Sequence, residues 1–290
     1  MKPAPFDYYA PTTVAEAVEK LAELGYAGKV LAGGQSLIPA MNFRMARPGA
    51  LVDLGKIKEL AYIKPQADGS VAIGTMTRDT AVEEDEFIRK NFPIVAETVS
   101  YIAHKQIRNR GSFGGAIAHA DPAAQIPALA VLLDAKLKVL STDGERWEDA
   151  VDFIIGPFMT TLEPQELLAE VVIPPLPANC GCSYQQVSRQ KGGYAQAAAI
   201  AKVVMDGDKV KDAQVVLFSV GETPIRTEQP NKVLAGMVPS TELIESVAEY
   251  VGANECDPGT DLHGTEEYRR NLVKVLVRRA LLDAIERAKK

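Results

Sequence analysis

The chain has 290 residues, which at roughly 150 per domain allows two domains and a sizeable core. Its 47% hydrophobic and 24% charged content is that of a globular protein, and 22 glycines and 18 prolines are too few for a disordered or collagen-like chain. A net charge of −6, from 32 basic and 38 acidic side chains, argues against a nucleic-acid or anionic-membrane partner. The apolar run Ile126–Leu133 ends at Asp134, far short of the roughly 18 residues of a membrane span. Met1–Asp7 has no apolar signal core, so a cytoplasmic location is expected. Cys180, Cys182 and Cys256 are unsuited to a disulfide framework or a four-thiolate cluster, and His104, His119 and His263 lack zinc-site spacing. Any redox chemistry would then come from an organic cofactor, with no metal held by this chain.

Thr13-Val14-Ala15-Glu16 predicts a capping box and a helix to Leu24, with Val14, Val18, Leu21 and Leu24 on its apolar side and Gly25 as its stop. Lys29–Ala32 predicts a short strand broken by Gly33-Gly34, and Ala50–Leu54 a second, completing a small β-α-β unit. Asp68-Gly69 predicts the turn of a hairpin between Leu60–Ile63 and Ser70–Gly74. Thr77–Glu86 and Pro93–His104 read as helices, Gly111–Ala116 as a glycine loop, and Pro122–Leu133 as a helix capped by Asp121. A second hairpin, Lys136–Leu140 with Arg146–Asp149, turns at Asp143-Gly144. Pro174-Pro175-Leu176-Pro177 can continue neither helix nor strand and marks a domain boundary. Beyond it, Ser183–Arg189, Ala198–Met205 and Lys209–Phe218 predict a three-stranded antiparallel sheet, and Thr241–Val251 and Thr265–Ala288 two helices. The last helix is expected to bury Tyr268, Leu272, Val275, Leu276, Leu282 and Ile285. Its basic residues Arg269, Arg270, Lys274, Arg278 and Arg279 form either a solvated face or a docking surface. The fold class is α+β, divided into residues 1–176 (subdomains 1–55 and 56–176) and 177–290.

Leu31-Ala32-Gly33-Gly34-Gln35-Ser36-Leu37 runs from a strand through two glycines into a predicted helix. Glycines let backbone amides close on a ligand, and a helix start adds free donors and positive dipole, which suits an anion such as a diphosphate. The same short string also serves as a tight left-handed turn with no ligand. Ile107-Arg108-Asn109-Arg110-Gly111-Ser112-Phe113-Gly114-Gly115-Ala116 again offers bare amides, with Ser112 as a side-chain donor. Arg108 and Arg110 either supply charge to a phosphate or decorate a solvated turn. Neither segment is a Gly-x-Gly-x-x-Gly or a P-loop. Two such segments in a chain without metal ligands point to one extended diphosphate ligand held at both ends. A side chain at Gly114 is expected to stand where a phosphate approaches the backbone.

Ala32-Gly33-Gly34-Gln35-Ser36-Leu37, Gln106-Ile107-Arg108, Gly111–Gly115, Asp121-Pro122-Ala123-Ala124-Gln125 and Gly193-Tyr194-Ala195 stand in a telling order and spacing. Together they resemble the flavoprotein (medium) subunit of molybdenum hydroxylases, the group of the carbon monoxide dehydrogenase medium subunit and the xanthine dehydrogenase flavin domain. The resemblance covers essentially the whole chain. It implies an FAD-binding domain of the vanillyl-alcohol-oxidase/molybdenum-hydroxylase type and a smaller C-terminal flavoprotein domain, with FAD extended between them. It also implies cofactor contacts from Val30, Leu31, Ala32, Gly33, Gly34, Gln35, Ser36 and Leu37, and from Gly111, Ser112, Phe113, Gly114, Gly115 and Ala116. Ile102 matches an apolar residue near the flavin ring, Gln125 an acidic residue that bonds a sugar hydroxyl, Tyr194 an aromatic that covers the isoalloxazine, and Leu167 a further contact. Gln35 replaces a frequent histidine, Ala116 a frequent asparagine and Gly193 a frequent aspartate, and Gln125 brings hydrogen bonds but no charge.

The implied activity is electron transfer inside a larger hydroxylase, with no catalytic acid or base in this chain. A molybdenum cofactor in a large subunit and 2Fe–2S clusters in a small subunit would feed FAD here, which passes electrons to NAD, oxygen or a quinone. The implied assembly is a dimer of heterotrimers. Rival readings are a stand-alone FAD oxidase of the same fold, a flavin-free scaffold subunit, and a nucleotide-sugar or NAD binder.

Overall fold

The computed structural model describes all 290 residues. It opens with strand β1 (Asp7–Tyr9), helix α1 (Val14–Leu24), β2 (Gly28–Leu31), α2 (Leu37–Asn42) and β3 (Ala50–Asp53). The three strands make a parallel sheet in the order β1-β3-β2. The capping box is present: the Thr13 hydroxyl accepts from the Glu16 amide and the Glu16 carboxylate accepts from the Thr13 amide. Ala17, Val18 and Leu21 of α1 then bury against Val52 and Leu54. Strand β1 has no sequence signature, because Asp7-Tyr8-Tyr9 does not alternate and remains mostly exposed. The Tyr8 hydroxyl donates to Asp53 at 2.5 Å and ties it to the end of β3.

A five-stranded antiparallel sheet follows, made of β4 (Ile63–Pro65), β5 (Val71–Gly74), β6 (Lys136–Ser141), β7 (Gly144–Asp149) and, after the short pair β8 (Ile154–Gly156) and β9 (Met159–Thr160), β10 (Leu167–Ile173). Its order is β4-β5-β10-β6-β7. Both predicted hairpins form, with Gly69 and Gly144 at φ 87° and 130° in their turns. Central β10 escapes the sequence pattern because it is covered on both faces and reads as a near-continuous apolar run. Between β5 and β6 lie α3 (Asp79–Glu84), α4 (Glu86–Asn91), α5 (Pro93–Ser100), α6 (Lys105–Arg108), α7 (Phe113–His119) and α8 (Gln125–Leu132), with α9 (Ala150–Phe153) after β7.

Three expectations need correction here. The helix predicted over 77–86 is two helices, split where extended Asp85 accepts from the Ile88 amide at 2.9 Å and caps α4. Residues 111–116 are not a loop: Ser112 precedes α7, and both Gly114 and Gly115 lie in its first turn. Asp121 does not cap α8; it accepts from the Ala123 amide at 2.8 Å in a preceding turn, and the helix starts after Ala124.

The C-terminal part is an antiparallel sheet of β11 (Cys180–Ser188), β12 (Ala195–Asp206), β13 (Lys209–Phe218) and β14 (Ile225–Thr227), with α10 (Gln229–Leu234), α11 (Thr241–Asn254) and α12 (Glu266–Ala288). The three predicted strands are there, but the sheet has a fourth, too short to announce itself. Alternation divides its two faces. Tyr184, Ala198, Ile200, Val216 and Phe218 complete the core formed by Val95, Val99, Ile126 and Leu129 of α5 and α8. Ala197, Ala199, Val203, Val215 and Leu217 pack under α11 and α12. Tyr184 bridges the halves, its ring 4.6 Å from Tyr101 and 6.1 Å from Phe218. Ion pairs reinforce the join: Arg287 with Glu97 at 2.5 Å, and Asp134 with Arg226 at 2.6 Å and Lys202 at 3.0 Å.

The buried stripe of α12 differs from the predicted one. Tyr268 and Val275 are each 44% exposed, whereas Arg269, Val273, Leu276, Val277, Ala280, Leu281 and Ala284 are buried. Close approach of helix to sheet selects small residues that a hydrophobicity count undervalues: a Cβ on Gly181 of β11 would lie 2.0 Å from the Ala284 carbonyl oxygen. Of the basic residues, Arg279 is exposed, whereas three others are engaged within the chain. Arg269 donates to Gln196 and Ser219 carbonyls, Arg278 pairs with Glu245, and Lys274 with Glu249. No helix is long and apolar enough to cross a membrane. Because the helix cannot retreat without opening its core, Gly181→Ala should cost about 1–3 kcal/mol, read as a lowered urea midpoint with an unchanged slope.

A candidate cofactor site where two glycine segments touch

The loop after β2 and the N-terminus of α7 meet main chain to main chain. A Cβ on Gly33 would lie 2.5 Å from the Arg110 carbonyl oxygen and 2.9 Å from Gly111 Cα, so only glycine lets the two segments close. Gly34 follows at φ 73°, a left-handed value that turns the chain into α2. Across the contact, a Cβ on Gly115 would lie 2.5 Å from Ser112 Oγ and 3.1 Å from Ala32 Cβ. Arg78 donates to the Arg110 carbonyl and pins the second segment from the β5 side.

What remains unpaired at this contact defines its chemistry. Gln35 donates its side-chain amide to the Gly33 carbonyl at 3.1 Å, shaping the loop from within. The amides of Gly33, Gly34, Gln35 and Ser36 find no acceptor in the protein. In the second segment, the Phe113 and Gly114 amides are taken by the Thr77 and Thr75 carbonyls at 3.0 and 3.1 Å, and the Gly115 amide is free. Ser112 Oγ is buried with no partner. An orphaned hydroxyl costs about 1–3 kcal/mol, so this group gains from an acceptor brought in from outside. Burial and the nearby Arg110 charge lower the Arg78 pKa, yet a guanidinium keeps its charge under such shifts. Free amides, one buried hydroxyl and two guanidiniums match the oxygens and charge of a diphosphate. The residues therefore fit FAD.

The other predicted positions separate into groups. Val30, Leu31, Leu37 and Ala116 are half-buried around the contact. Phe113 and Leu167 point their side chains into the core, at 0% and 2% exposure. Gln125 is buried near Tyr184, whose hydroxyl donates to Gln186 Oε1 at 2.6 Å; burial raises that phenol's pKa, and Gln125 lowers it in part. Ile102 is half-buried, and its carbonyl accepts from Arg108 at 2.8 Å. Arg108 itself is closed in a buried ion pair with Glu83 at 2.7 and 3.2 Å, so it supports the loop and is no phosphate ligand. Tyr194 is 69% exposed on a loop that seats on the Ile102 loop, since a Cβ on Gly192 would lie 2.6 Å from the Ala103 carbonyl. Partial burial of its hydroxyl end and the Asp121 carboxylate raise the Tyr194 pKa. His119 packs on Phe158 at 5.1 Å, and burial lowers its pKa. Sequence reasoning missed Thr75, Thr77, Arg78 and Asp79, which hold the second segment; the alternation Thr75-Met76-Thr77 at the end of β5 was the available signal.

Residues 4–176 match the family model described as the FAD binding domain in molybdopterin dehydrogenase, and residues 182–284 match the CO dehydrogenase flavoprotein C-terminal domain. The chain belongs to the FAD-binding medium subunits of molybdenum hydroxylases. It is an oxidoreductase subunit whose cofactor is FAD. The carbon monoxide dehydrogenase medium chain of Afipia carboxidovorans is 38% identical over the full length of both chains. The alpha subunit of the 6-hydroxypseudooxynicotine dehydrogenase complex of Paenarthrobacter nicotinovorans is 37% identical, covering all of this chain and 97% of that one. Among solved structures, carbon monoxide dehydrogenase from Hydrogenophaga pseudoflava superposes with a TM-score of 0.96 at 35% identity, covering 99% of each chain. Quinoline 2-oxidoreductase from Pseudomonas putida gives 0.95 at 34% identity over the whole of both.

Within this medium subunit the role expected of Gly114 changes. A Cβ there would lie 2.7 Å from Thr75 Cα, so Gly114→Val would disrupt internal packing before it met a phosphate. Gly33→Ala instead tests the contact between the two segments, because its Cβ would meet the Arg110 carbonyl and hold them apart. It should weaken FAD binding by about 10–100-fold, the scale of one or two lost charge-assisted hydrogen bonds, while circular dichroism stays that of the folded chain.

Proposed function

We propose that this chain relays electrons between the iron–sulfur centres of a molybdenum hydroxylase and an external acceptor. The supporting observation is the contact of two glycine segments, with its free amides and the buried, unpaired Ser112 hydroxyl. The Gly33, Gly34, Gln35, Ser36 and Gly115 amides and Ser112 would hold the diphosphate of FAD, and Arg78 and Arg110 would balance its charge. Bound FAD supplies the exchange between one-electron and two-electron steps. Ile102 and Tyr194, on adjoining loops, would flank the ring and govern access to it. Gln125 and Leu167 would act from the core, by shaping the groove. No side chain here is assigned a proton transfer to substrate.

Partners follow from the same reading. A large subunit would carry the molybdenum cofactor, a small one two 2Fe–2S clusters, and the assembly would be a dimer of heterotrimers, with NAD, oxygen or a quinone as acceptor. Residues 1–176 and 177–290 would act as the FAD-binding and C-terminal flavoprotein domains. Removal of FAD from the purified complex tests the relay. Substrate should still bleach the iron–sulfur absorption, whereas reduction of any added acceptor should stop and return on addition of FAD. Undiminished turnover by the FAD-free complex would sink the proposal.

A further inference from the structure

We propose that Asp79 is a positioning residue of the diphosphate cradle and that FAD binding takes up a proton at its carboxyl group. The inference rests on the FAD site proposed above. Asp79 is the first residue of α3 and is 4% exposed. Its amide donates to the Gly111 carbonyl at 3.3 Å, and a Cβ on Gly111 would lie 2.2 Å from its Oδ2. The carboxyl group is thus pressed against the main chain immediately before Ser112. Its Oδ1 is buried without a hydrogen-bond partner, as is Ser112 Oγ. Two orphaned polar side chains therefore lie at one turn, the turn that leads to the free Gly115 amide.

The charges around it do not neutralise it. Arg78 precedes it but donates to the Arg110 carbonyl, and Arg108 of α6 is engaged by Glu83, one turn further along α3. Helix α5, which also packs on α3, carries only Glu97, and that pairs with Arg287; α4 continues from the far end of α3. Burial outweighs the two arginines, helped by Glu83, and pushes the Asp79 carboxyl up to about 7. An anionic diphosphate at the same turn favours the neutral form further. Linkage then sets the sign: below about pH 7 the proton is already present and binding is indifferent to pH. Above it, binding must draw a proton from solution and weakens as pH rises.

Titration of FAD into the FAD-stripped full chain, in two buffers of different ionisation enthalpy, tests this. Kd should be constant from about pH 5.5 to 6.5 and rise about three- to tenfold between pH 7 and 8, with uptake of up to about one proton. Asp79→Asn, which keeps the shape but cannot ionise, should bind FAD with a Kd independent of pH and without proton uptake. Ser112→Ala should bind more weakly yet keep the wild-type pH profile. A flat wild-type profile without proton uptake overturns the inference while leaving the FAD site intact, as does a wild-type profile in Asp79→Asn. If Asp79→Asn does not fold, the wild-type proton count decides alone. Failure of the wild-type chain to bind FAD at any pH overturns the site assignment and this inference with it.

Discussion

The site exists because two stretches of backbone touch without side chains between them. Gly33 admits the Arg110 carbonyl, and Gly115 admits Ser112 and Ala32. Each contact is paid for in conformational freedom, since glycine loses more entropy on folding than any other residue. The return is a surface of unpaired amides whose spacing is set by the main chain and is insensitive to side-chain rotamers. Thr75 and Thr77 take the neighbouring Phe113 and Gly114 amides and so separate the donors that build the fold from those left for a ligand.

That contact is only as rigid as the elements behind it. The second segment is braced by Arg78, by the Asp79 amide and by the buried Arg108–Glu83 pair, which also fixes the Ile102 carbonyl. The Ile102 loop in turn carries the loop of Gly192 and Tyr194 from the C-terminal sheet. Backbone, ion pair and second-sheet loop thus form one mechanical series from the two glycine segments to the Tyr194 loop. Under the proposed relay, such a series would keep the flavin ring at a fixed place, which electron transfer needs more than any acid or base.

Much of this was legible in the sequence where the cause is local. The Thr13–Glu16 capping box, the two glycine-turned hairpins and the two glycine segments are all short-range chemistry, and all appear in the structure. The misses arise where tertiary context decides. Strand β1 has no alternation of its own and forms because β3 offers it a ladder. The stripe of α12 follows the close approach of Gly181 and not the largest apolar side chains. Glycines in the first turn of α7 read as a loop because their helix propensity is poor, and the Thr75 and Thr77 carbonyls compensate from outside the segment. The burial of Asp79 was invisible for a similar reason: nothing adjacent in sequence says that Gly111 will close over it.

The shared interior of the two halves bears on how the molecule is made. Tyr184, Ile200 and Phe218 fill a wall whose other side is built from residues between 71 and 173. A ribosome synthesising roughly 5–20 residues per second exposes that wall for several seconds before β13 emerges to cover it. During that interval the nascent chain already carries both glycine segments but lacks the sheet that steadies the Ile102 loop. Until the C-terminal sheet is made, the Ile102 loop therefore lacks the backing that Gly192 gives it against the Ala103 carbonyl.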